Sequence, residues 1–428
     1  MSARRKRLFS RPSRRQLLAI AGVLVLVLVG IGLGAYFYER NRTGSVYHPH
    51  APFTQESTPT ALPKRPPDRF SWPNYGYTKD HSRFFPAPES LRPPFRQLWV
   101  RNAHELLEFP PVIYAGRLFQ LGDNAVLAAT NKHTGKVVWK RKLGRLSASS
   151  PAVTSNTVYV TVLDSGNGAP GRIFAINSKN GVTRWSRALP ARAESSPLVD
   201  GDKVFFGSEA GTVYALGASH GNVLWTYHAG GAVKASPTLS RGVLYFGDYS
   251  GHLQAVSERN GHLLWRSGSG GALLGSGTFY STAAVFYGRV YLGNTDGRIY
   301  AYDARTGSLD WAVQTGAYVY SSPAVTNAPG LGPTIYLGSY NGTFYALNAR
   351  SGHVSWTFNA GGRISGSATI IGRVVYFSDL GDHRTFGLGI STGRKLFQKE
   401  TGAFDPVISD GKNIYLSGYT GVYALAPR

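Results

Sequence analysis

The chain has 428 residues, 42% of them hydrophobic, and a formal charge of +23. It contains no cysteine, which excludes disulfides, thiolate metal sites and thiol nucleophiles. Its 52 glycines, 25 tyrosines and 21 phenylalanines are typical of strands and turns, and no long amphipathic helical pattern follows residue 38. These values favour one large all-β array over several mixed domains.

The N-terminus combines a basic stretch with an uncharged one. Residues 1–15 hold seven Lys or Arg and no acid, and residues 16–38 carry no charge. A stretch of this length spans a bilayer as a helix, and the basic flank keeps the N-terminus in the cytoplasm. The sequence therefore predicts a basic cytoplasmic tail at 1–15, a transmembrane helix at 16–38, and a domain outside the cytoplasm.

Two other interpretations of this region stay open. Residues 13–18, SRRQLL, resemble a twin-arginine export signal, and a cleaved signal peptide is also compatible with the pattern. No small-x-small cleavage site follows the apolar stretch, which favours an uncleaved anchor. An anchored protein can use the twin-arginine route, so those two interpretations are compatible.

Two segments of different composition follow the predicted anchor. Residues 39–70 are rich in Pro, Thr and Ser, which predicts a disordered tether. Residues 71–97 contain five aromatic residues between positions 72 and 85, and such a segment is not expected to stay free in water. We expect it to pack along the outside of the following domain, or across one face of it, as a lead-in.

One eleven-residue phrase, A-x5-G-x3-W, recurs between residues 129 and 397 at spacings of 40 to 46 residues, with Phe397 ending a degraded copy. Its halves alternate as strands do, its Gly suits a tight turn, and its small Ala leaves room for the large ring. The predicted role of the tryptophans is packing between repeats. These residues are Trp99, Trp139, Trp185, Trp225, Trp265, Trp311 and Trp356.

A full repeat holds four short antiparallel strands, as residues 195–225 show, which is the content of a propeller blade. The last repeat stops after its third strand, while residues 97–100 supply an unmatched fourth strand. We therefore predict an eight-bladed β-propeller at 98–428, closed by residues 97–108 pairing with 404–428. The predicted blade starts are Pro111, Pro151, Pro197, Pro237, Gly277, Pro323, Ala368 and Pro406.

The fullest copy of the phrase, with Ala301, Asp303, Thr306, Gly307 and Trp311, resembles the repeat of pyrroloquinoline-quinone (PQQ)-like β-propellers. The resemblance covers about residues 98–428. In the quinoprotein dehydrogenases of this family it implies PQQ and Ca²⁺ over the ring centre, a vicinal disulfide and a carboxylate base. The family also includes non-enzymatic BamB-type propellers. This chain has no cysteine for the disulfide, and no residue matches the catalytic carboxylate.

Sites in a propeller usually lie at the central channel, near the start of each first strand. The residue one before the start is Ser in six of eight repeats, and the residue three before it is mixed in character. A ring of hydroxyls suits either a polar ligand or close packing near the axis. The candidate channel-lining residues are Glu108, Ser150, Glu194, Ser196, Lys234, Ser236, Ser276, Tyr320, Ser322, Ser367 and Asp405.

Together these patterns favour a membrane-anchored, extracytoplasmic, non-catalytic scaffold or ligand-binding platform in the cell envelope. The alternative is a PQQ-dependent oxidoreductase acting on sugars or alcohols, which would need PQQ and Ca²⁺; otherwise we expect no cofactor and no metal. Basic residues of the repeats are scattered over many turns instead of forming a stripe, which disfavours nucleic acid. The expected partners are other envelope proteins or anionic cell-surface polymers.

Overall fold

The computed structural model describes residues 21–32, 45–58, 70–166, 168, 170–271, 277–402, 404 and 407–428. Residues 1–44 and 45–428 are separate compact units. In the first unit, residues 21–32 are helical, and the rest of the predicted 16–38 span lies outside the described residues. No helix within the described residues combines the length and apolar character that crossing a bilayer requires.

Residues 45–428 form eight sheets, each with four antiparallel blade strands, and three of these sheets gain an extra strand. First strands of adjacent blades lie against one another, so they surround a common axis. Four strands precede the first blade in the chain, and the fourth of them completes the last blade: β1 (Val46–Tyr47), β2 (Ser71–Trp72), β3 (Phe84–Phe85) and β4 (Phe95–Asn102). The all-β, eight-bladed, four-stranded architecture predicted from the sequence is confirmed.

Blades 1 to 4 are built from sixteen strands in chain order: β5 (Val112–Tyr114), β6 (Arg117–Leu121), β7 (Val126–Asn131), β8 (Val137–Lys142); β9 (Ala152–Thr154), β10 (Thr157–Val162), β11 (Gly171–Asn177), β12 (Thr183–Leu189); β13 (Leu198–Asp200), β14 (Lys203–Gly207), β15 (Thr212–Gly217), β16 (Val223–His228); β17 (Thr238–Ser240), β18 (Val243–Gly247), β19 (His252–Ser257), β20 (Leu263–Gly268). A 3-10 turn follows at Ser269–Gly271.

Blades 5 to 8 continue with β21 (Ala284–Phe286), β22 (Arg289–Gly293), β23 (Arg298–Asp303), β24 (Leu309–Gln314); β25 (Ala324–Ala328), β26 (Gly332–Gly338), β27 (Thr343–Asn348), β28 (Val354–Asn359); β29 (Thr369–Ile371), β30 (Val374–Ser378), β31 (Thr385–Gly389), β32 (Lys395–Lys399); β33 (Val407–Ser409), β34 (Ile414–Ser417), β35 (Gly421–Pro427), with β4 as the fourth strand of blade 8.

The two ends of the propeller chain share blade 8. Strand β4 pairs antiparallel with β35, with Trp99 opposite Ala424 and Val100 opposite Tyr423. The pairing residues are 95–102 and 421–427, a shorter overlap than the predicted 97–108 and 404–428. Because β4 covers the edge of β35, the last blade is complete and the junction of the two chain ends leaves no unpaired third strand.

Each tryptophan of the repeat docks on the next blade. Its indole N–H donates to a backbone carbonyl there, as in Trp265 to Ala304 at 3.1 Å and Trp311 to Ala349 at 3.2 Å. A glycine of that blade lies against the ring, and a Cβ added at Gly307 would approach Trp265 to 2.5 Å. The same docking recurs for Trp99, Trp139, Trp185, Trp225 and Trp356.

The predicted disordered tether is wrong for residues 45–58, which pack on blades 5 and 6. Strand β1 extends blade 5, with Val46 opposite Ala312. Phe53 stacks on Tyr287 at 5.1 Å between ring centroids, and the guanidinium carbon of Arg289 lies 5.1 Å from the Phe53 ring centroid. The backbone carbonyls and one aromatic ring hold this polar segment in place. Residues 59–69 lie outside the described residues.

The lead-in crosses the inner strands, and we call its residues 71–85 the collar. Strand β2 pairs with β5 of blade 1, and β3 pairs in parallel with β29 of blade 7. Oxygen atoms of the collar accept one backbone N–H from each of blades 2 to 7. These donors are Val153 to Pro73, Val199 to the Asn74 side chain, Leu239 to Lys79, Val285 to Asp80, Val325 to Ser82 and Ile370 to Arg83. The collar thereby joins blades 1 to 7 in chain order.

Two basic side chains of the collar are buried. The Arg83 guanidinium carbon lies 4.1 Å from the centroid of the Tyr75 ring, and the side chain is 1% exposed. Burial and the neighbouring Arg83 lower the pKa of His81 well below its usual range. The neutral His81 ring is within 3.1 Å of the Thr238 hydroxyl, so it ties the collar to blade 4.

Candidate functional site

The hydroxyl ring predicted around the channel is present, and most of its bonds join blades. Ser196 accepts the Ser150 N–H at 2.9 Å, and the Ser150 hydroxyl donates to the Pro110 carbonyl at 2.8 Å. Further round, Ser322 accepts the Thr282 N–H at 3.0 Å. Because these hydroxyls bond to neighbouring blades, they stabilise the channel wall.

Blade 5 does not start where the sequence predicted. Its first strand begins at Ala284, so Ala283, not Gly277, occupies the blade-start position. Thr282 takes the ring place assigned to Ser276, and its hydroxyl accepts the Ser236 N–H at 3.2 Å. The residues between blades 4 and 5 form an insertion that displaces the start by six residues. Both Ser276 and Asp405 lie outside the described residues.

A cavity of about 70 Å³ occupies the channel. Residues of the loops before the first strands line this cavity. Tyr75 of the collar also lines it, and its hydroxyl bonds to the Ser367 hydroxyl at 2.6 Å. Ser150 and Glu194 are absent from its lining. Seven predicted residues line it, namely Glu108, Ser196, Lys234, Ser236, Tyr320, Ser322 and Ser367, together with residues not predicted, among them Tyr75, Phe109, Tyr280, Thr282, Ser365 and Phe404.

Glu194 instead belongs to an ion network beside the cavity. Lys234 contacts Glu194 at 2.8 Å and Glu209 at 3.2 Å, and the Tyr280 hydroxyl donates to Glu194. Burial alone would lower the pKa of Lys234, but the hydrogen bond and charge of Glu194 raise it above its usual range. Burial raises the pKa of Tyr249 to about 12. At neutral pH the network therefore holds a charged Lys234 and neutral tyrosines.

Five tyrosines on blades 4 to 6 surround this network, and we call Tyr249, Tyr280, Tyr318, Tyr320 and Tyr340 the tyrosine cluster. Their ring centroids are 4.9 to 6.4 Å apart along the chain of contacts. Tyr318 is 53% exposed, whereas Tyr280 is largely enclosed. Tyrosines in this arrangement offer apolar area and a hydroxyl to a partner at small entropic cost. Sequence reasoning found only Tyr320; Tyr280 lies at the same position, three residues before a blade start, and was missed because the start of blade 5 was placed at Gly277.

The cavity of about 70 Å³ is small for PQQ with Ca²⁺. Pockets for ligands of that size measure about 300–1,000 Å³, several times the volume available here. Glu108 is the one carboxylate among the lining residues of this cavity. Among the described residues, no group of three or more His, Asp or Glu side chains converges in a way that would hold a metal ion.

Solved structures with the same fold include both classes named by the resemblance. BamB from Moraxella catarrhalis aligns with a TM-score of 0.63 and 17% identity, covering 78% of this chain and all of that one. A quinohemoprotein alcohol dehydrogenase from Pseudomonas putida HK5 aligns with a TM-score of 0.72 and 15% identity, covering 84% of this chain and 80% of that one. At these identities the likeness shows the fold alone.

Sequence relatives match over one part of the chain. Outer membrane protein assembly factor BamB of Moranella endobia is 31% identical over 102 residues, 24% of each chain. Quinoprotein alcohol dehydrogenase PedH of Pseudomonas putida is 28% identical over 120 residues, 26% of this chain and 20% of its own. The chain thus spans about a quarter or less of the length of these relatives.

A family model covers nearly all of the propeller. It is described as outer membrane protein assembly factor BamB and matches residues 95–208, 169–322 and 321–428, which together reach from the closing strand to the last residue. The matched regions contain every tryptophan of the docking repeat. The chain therefore belongs to this BamB family of PQQ-like β-propellers.

Proposed function

We propose that this protein is a membrane-anchored, extracytoplasmic propeller that acts as a non-catalytic scaffold for other proteins of the cell envelope. The observation that carries the proposal is the channel itself. Its hydroxyls bond between blades, Tyr75 of the collar reaches it, and the cavity that the described residues line there is about 70 Å³. A propeller whose axis is filled in this way is suited to present its outer surfaces to partners.

The tyrosine cluster is the surface that we assign to a protein partner. Tyrosine is enriched in interfaces and at their energetic centres, and the ion network of Lys234, Glu194 and Glu209 gives the surrounding side chains fixed positions. The relative from Moranella endobia is described as an outer membrane protein assembly factor. We therefore infer that the partner of this chain is another envelope protein.

The anchor and the compartment are part of the proposal. Residues 16–38 would cross the membrane, residues 1–15 would stay in the cytoplasm, and the propeller would lie outside it. Protease added to intact spheroplasts should then degrade the propeller and leave a tag at residue 1 protected. Protection of the propeller in that assay would contradict this topology.

Titration of the full chain with PQQ and Ca²⁺ separates the scaffold from the enzyme. We expect no stoichiometric binding of PQQ by calorimetry and no dye-linked oxidation of sugars or alcohols. Tight binding of one PQQ per chain, together with such oxidation, would contradict the scaffold proposal and establish the quinoprotein alternative.

Photo-crosslinking tests the proposed docking surface. A crosslinking amino acid at Tyr318, which is 53% exposed, should capture a defined envelope protein in the native host. The matched control is Tyr47 on strand β1, which is 52% exposed and lies opposite Trp311 at the outer edge of blade 5. Capture of the same protein with equal yield from both positions would count against a specific surface.

A further inference from the structure

The outermost strands of four neighbouring blades carry an unbalanced positive charge. Strands β32, β4, β8 and β12 belong to blades 7, 8, 1 and 2, which are adjacent around the ring. Together they contain nine Lys or Arg and no Asp or Glu. The outer strands of blades 3 to 6 contain one Arg and one Asp in total. We call the first set the cationic flank.

The charges of the flank are not neutralised by ion pairs. None of its nine cations forms a salt bridge within the described residues, whereas Lys79, Lys203 and Lys234 elsewhere in the propeller are all paired. Two acids adjoin the flank. Burial raises the pKa of Glu105 although the charges of Lys140, Arg101 and Lys142 act to lower it, and Glu400 is exposed. These nine cations are distant in sequence and did not stand out as a stripe there, because ring closure is what brings the repeats that carry them together.

Aliphatic side chains lie exposed between these cations. Leu396, Leu98, Val100 and Val138 are 38 to 50% exposed, although each lies within an outer strand of the flank. The half-buried Trp99 and Trp139 face the next blade and donate to the carbonyls of Lys132 and Ser178. The flank thus offers cations and aliphatic groups, while its aromatic rings are engaged within the fold.

We propose that the cationic flank rests on an anionic lipid bilayer. Acidic headgroups attract each Lys or Arg near the surface with about 1 kcal/mol, and aliphatic side chains between the cations enter the headgroup boundary. Binding of single-stranded nucleic acid would instead require aromatic rings free for stacking. The flank would turn this half of the propeller's rim towards the membrane, with blades 8 and 1, which lie in its middle, nearest the headgroups. This orientation is independent of the proposed anchor, which would hold the chain on any bilayer.

The absence of cysteine allows a direct test in the full chain. Val138→Cys and Leu264→Cys place one polarity-sensitive fluorophore at equivalent positions, each directly before the repeat tryptophan, on blades 1 and 4. The parent side chains are 46% and 53% exposed. Each protein is measured on nanodiscs of phosphatidylcholine alone and of phosphatidylcholine with phosphatidylglycerol.

We expect a blue shift at Val138→Cys on phosphatidylglycerol discs only, and no shift at Leu264→Cys on either disc. The shift should disappear in about 1 M NaCl, where the Debye length is about 3 Å. Arg96→Gln/Lys140→Gln/Arg184→Gln should lower the equilibrium constant for contact between the flank and the phosphatidylglycerol surface, as read from the shift, on the order of 100-fold. Arg259→Gln/Arg266→Gln/Arg305→Gln, which removes the same charge from exposed residues of blades 4 and 5, should leave it unchanged.

Three results would overturn the proposal. The first is an equal shift at Val138→Cys and Leu264→Cys. The second is a Val138→Cys shift that is the same on both lipids. The third is a DNA duplex that binds the flank more tightly than phosphatidylglycerol does. A chain that fails to remain on phosphatidylcholine discs would contradict the anchor alone. The flank and the anchor are therefore tested separately.

Discussion

Phe397 meets Phe95 edge to face at the junction of blades 7 and 8, with ring centroids 5.6 Å apart. A tryptophan at position 397 would dock on the turn that joins the third and fourth strands of the next blade. Blade 8 has no such turn, because its third and fourth strands are the two ends of the propeller chain. The degraded last copy of the repeat is thus explained by the ring closure, and Phe95 supplies the replacement contact.

The docking of tryptophan on glycine predicts a large effect of Gly307→Ala. Gly307 has a φ of +74°, and an added Cβ would lie 2.5 Å from the Trp265 ring. Left-handed strain costs about 1–2 kcal/mol and overpacking about 1–3 kcal/mol, so we expect a loss of about 2–5 kcal/mol in urea unfolding. The control is Gly316→Ala, with a φ of +88° and open space, which should lose about 1–2 kcal/mol. Equal losses would remove the docking role.

The buried pair of Lys132 and Asp410 links blade 1 to blade 8. Its Nζ–Oδ2 distance is 2.8 Å, and both side chains are 2% exposed. Lys132→Met leaves a buried carboxylate without its cation, and we expect a loss of about 3–5 kcal/mol in the free energy of unfolding. The double variant Lys132→Met/Asp410→Asn should recover most of it. A single variant as stable as the wild type would show that the pair does not secure the closure.

The same pair predicts the acid sensitivity of the propeller. Burial favours protonated Asp410, but the hydrogen bond and charge of Lys132 outweigh it and lower the pKa of this carboxyl. The folded state then binds fewer protons than the unfolded state, so the stabilisation is complete above the unfolded pKa of about 4 and is lost as the pH falls through the folded value. Between about pH 5 and 3 the urea midpoint of the wild type should fall more steeply than that of Lys132→Met/Asp410→Asn. Parallel curves would contradict this assignment.

The collar should depend on Trp72. This side chain is 1% exposed and lies 4.7 Å from the Tyr77 ring and 5.4 Å from the Phe85 ring between centroids. Trp72→Ala should cost about 3–5 kcal/mol and open residues 73–83 to limited proteolysis. The exposed Leu264→Ala should change the stability by no more than about 0.5 kcal/mol. An unchanged cleavage pattern in Trp72→Ala would mean that the backbone bonds hold the collar without this ring.

Two truncations test the closing strand. A chain beginning at residue 45 keeps every strand of the described propeller, whereas one beginning at residue 103 lacks β1 to β4 and the collar, and the loss of β4 leaves the edge of β35 open. We expect the first to keep the thermal midpoint of the full chain, and the second to unfold earlier and to self-associate on size exclusion. Retention of full stability in the shorter chain would contradict closure by pairing of the two ends.

The sequence predicts the blades well because each letter of the repeat has one local task. Gly307 provides a left-handed turn, Ala301 faces the ring of Trp311 across the strand pair, and both requirements can be read without knowing distant contacts. Blade 5 was misplaced because an insertion before Ala284 carries strand-like residues at the expected spacing. Periodicity alone does not distinguish such an insertion from a strand.

The collar, the tyrosine cluster and the cationic flank were not predictable in this way. The collar is held mainly through backbone N–H groups of the inner strands, which leave no side-chain pattern in residues 71–85. Tyr280 and Tyr340 come from different blades and meet around Tyr320 only in the ring. The flank likewise assembles cations that are up to about 300 residues apart in sequence, as Arg96 and Lys395 are.

The order in which the collar contacts the blades has a consequence for biosynthesis. Residues 71–85 leave the ribosome before any blade, yet Arg83 accepts the N–H of Ile370 in the seventh. Its contacts therefore span almost the whole chain, and such long-range contacts form late in folding. The collar, which is rich in aromatic rings, therefore stays exposed until nearly all of the ring has been synthesised.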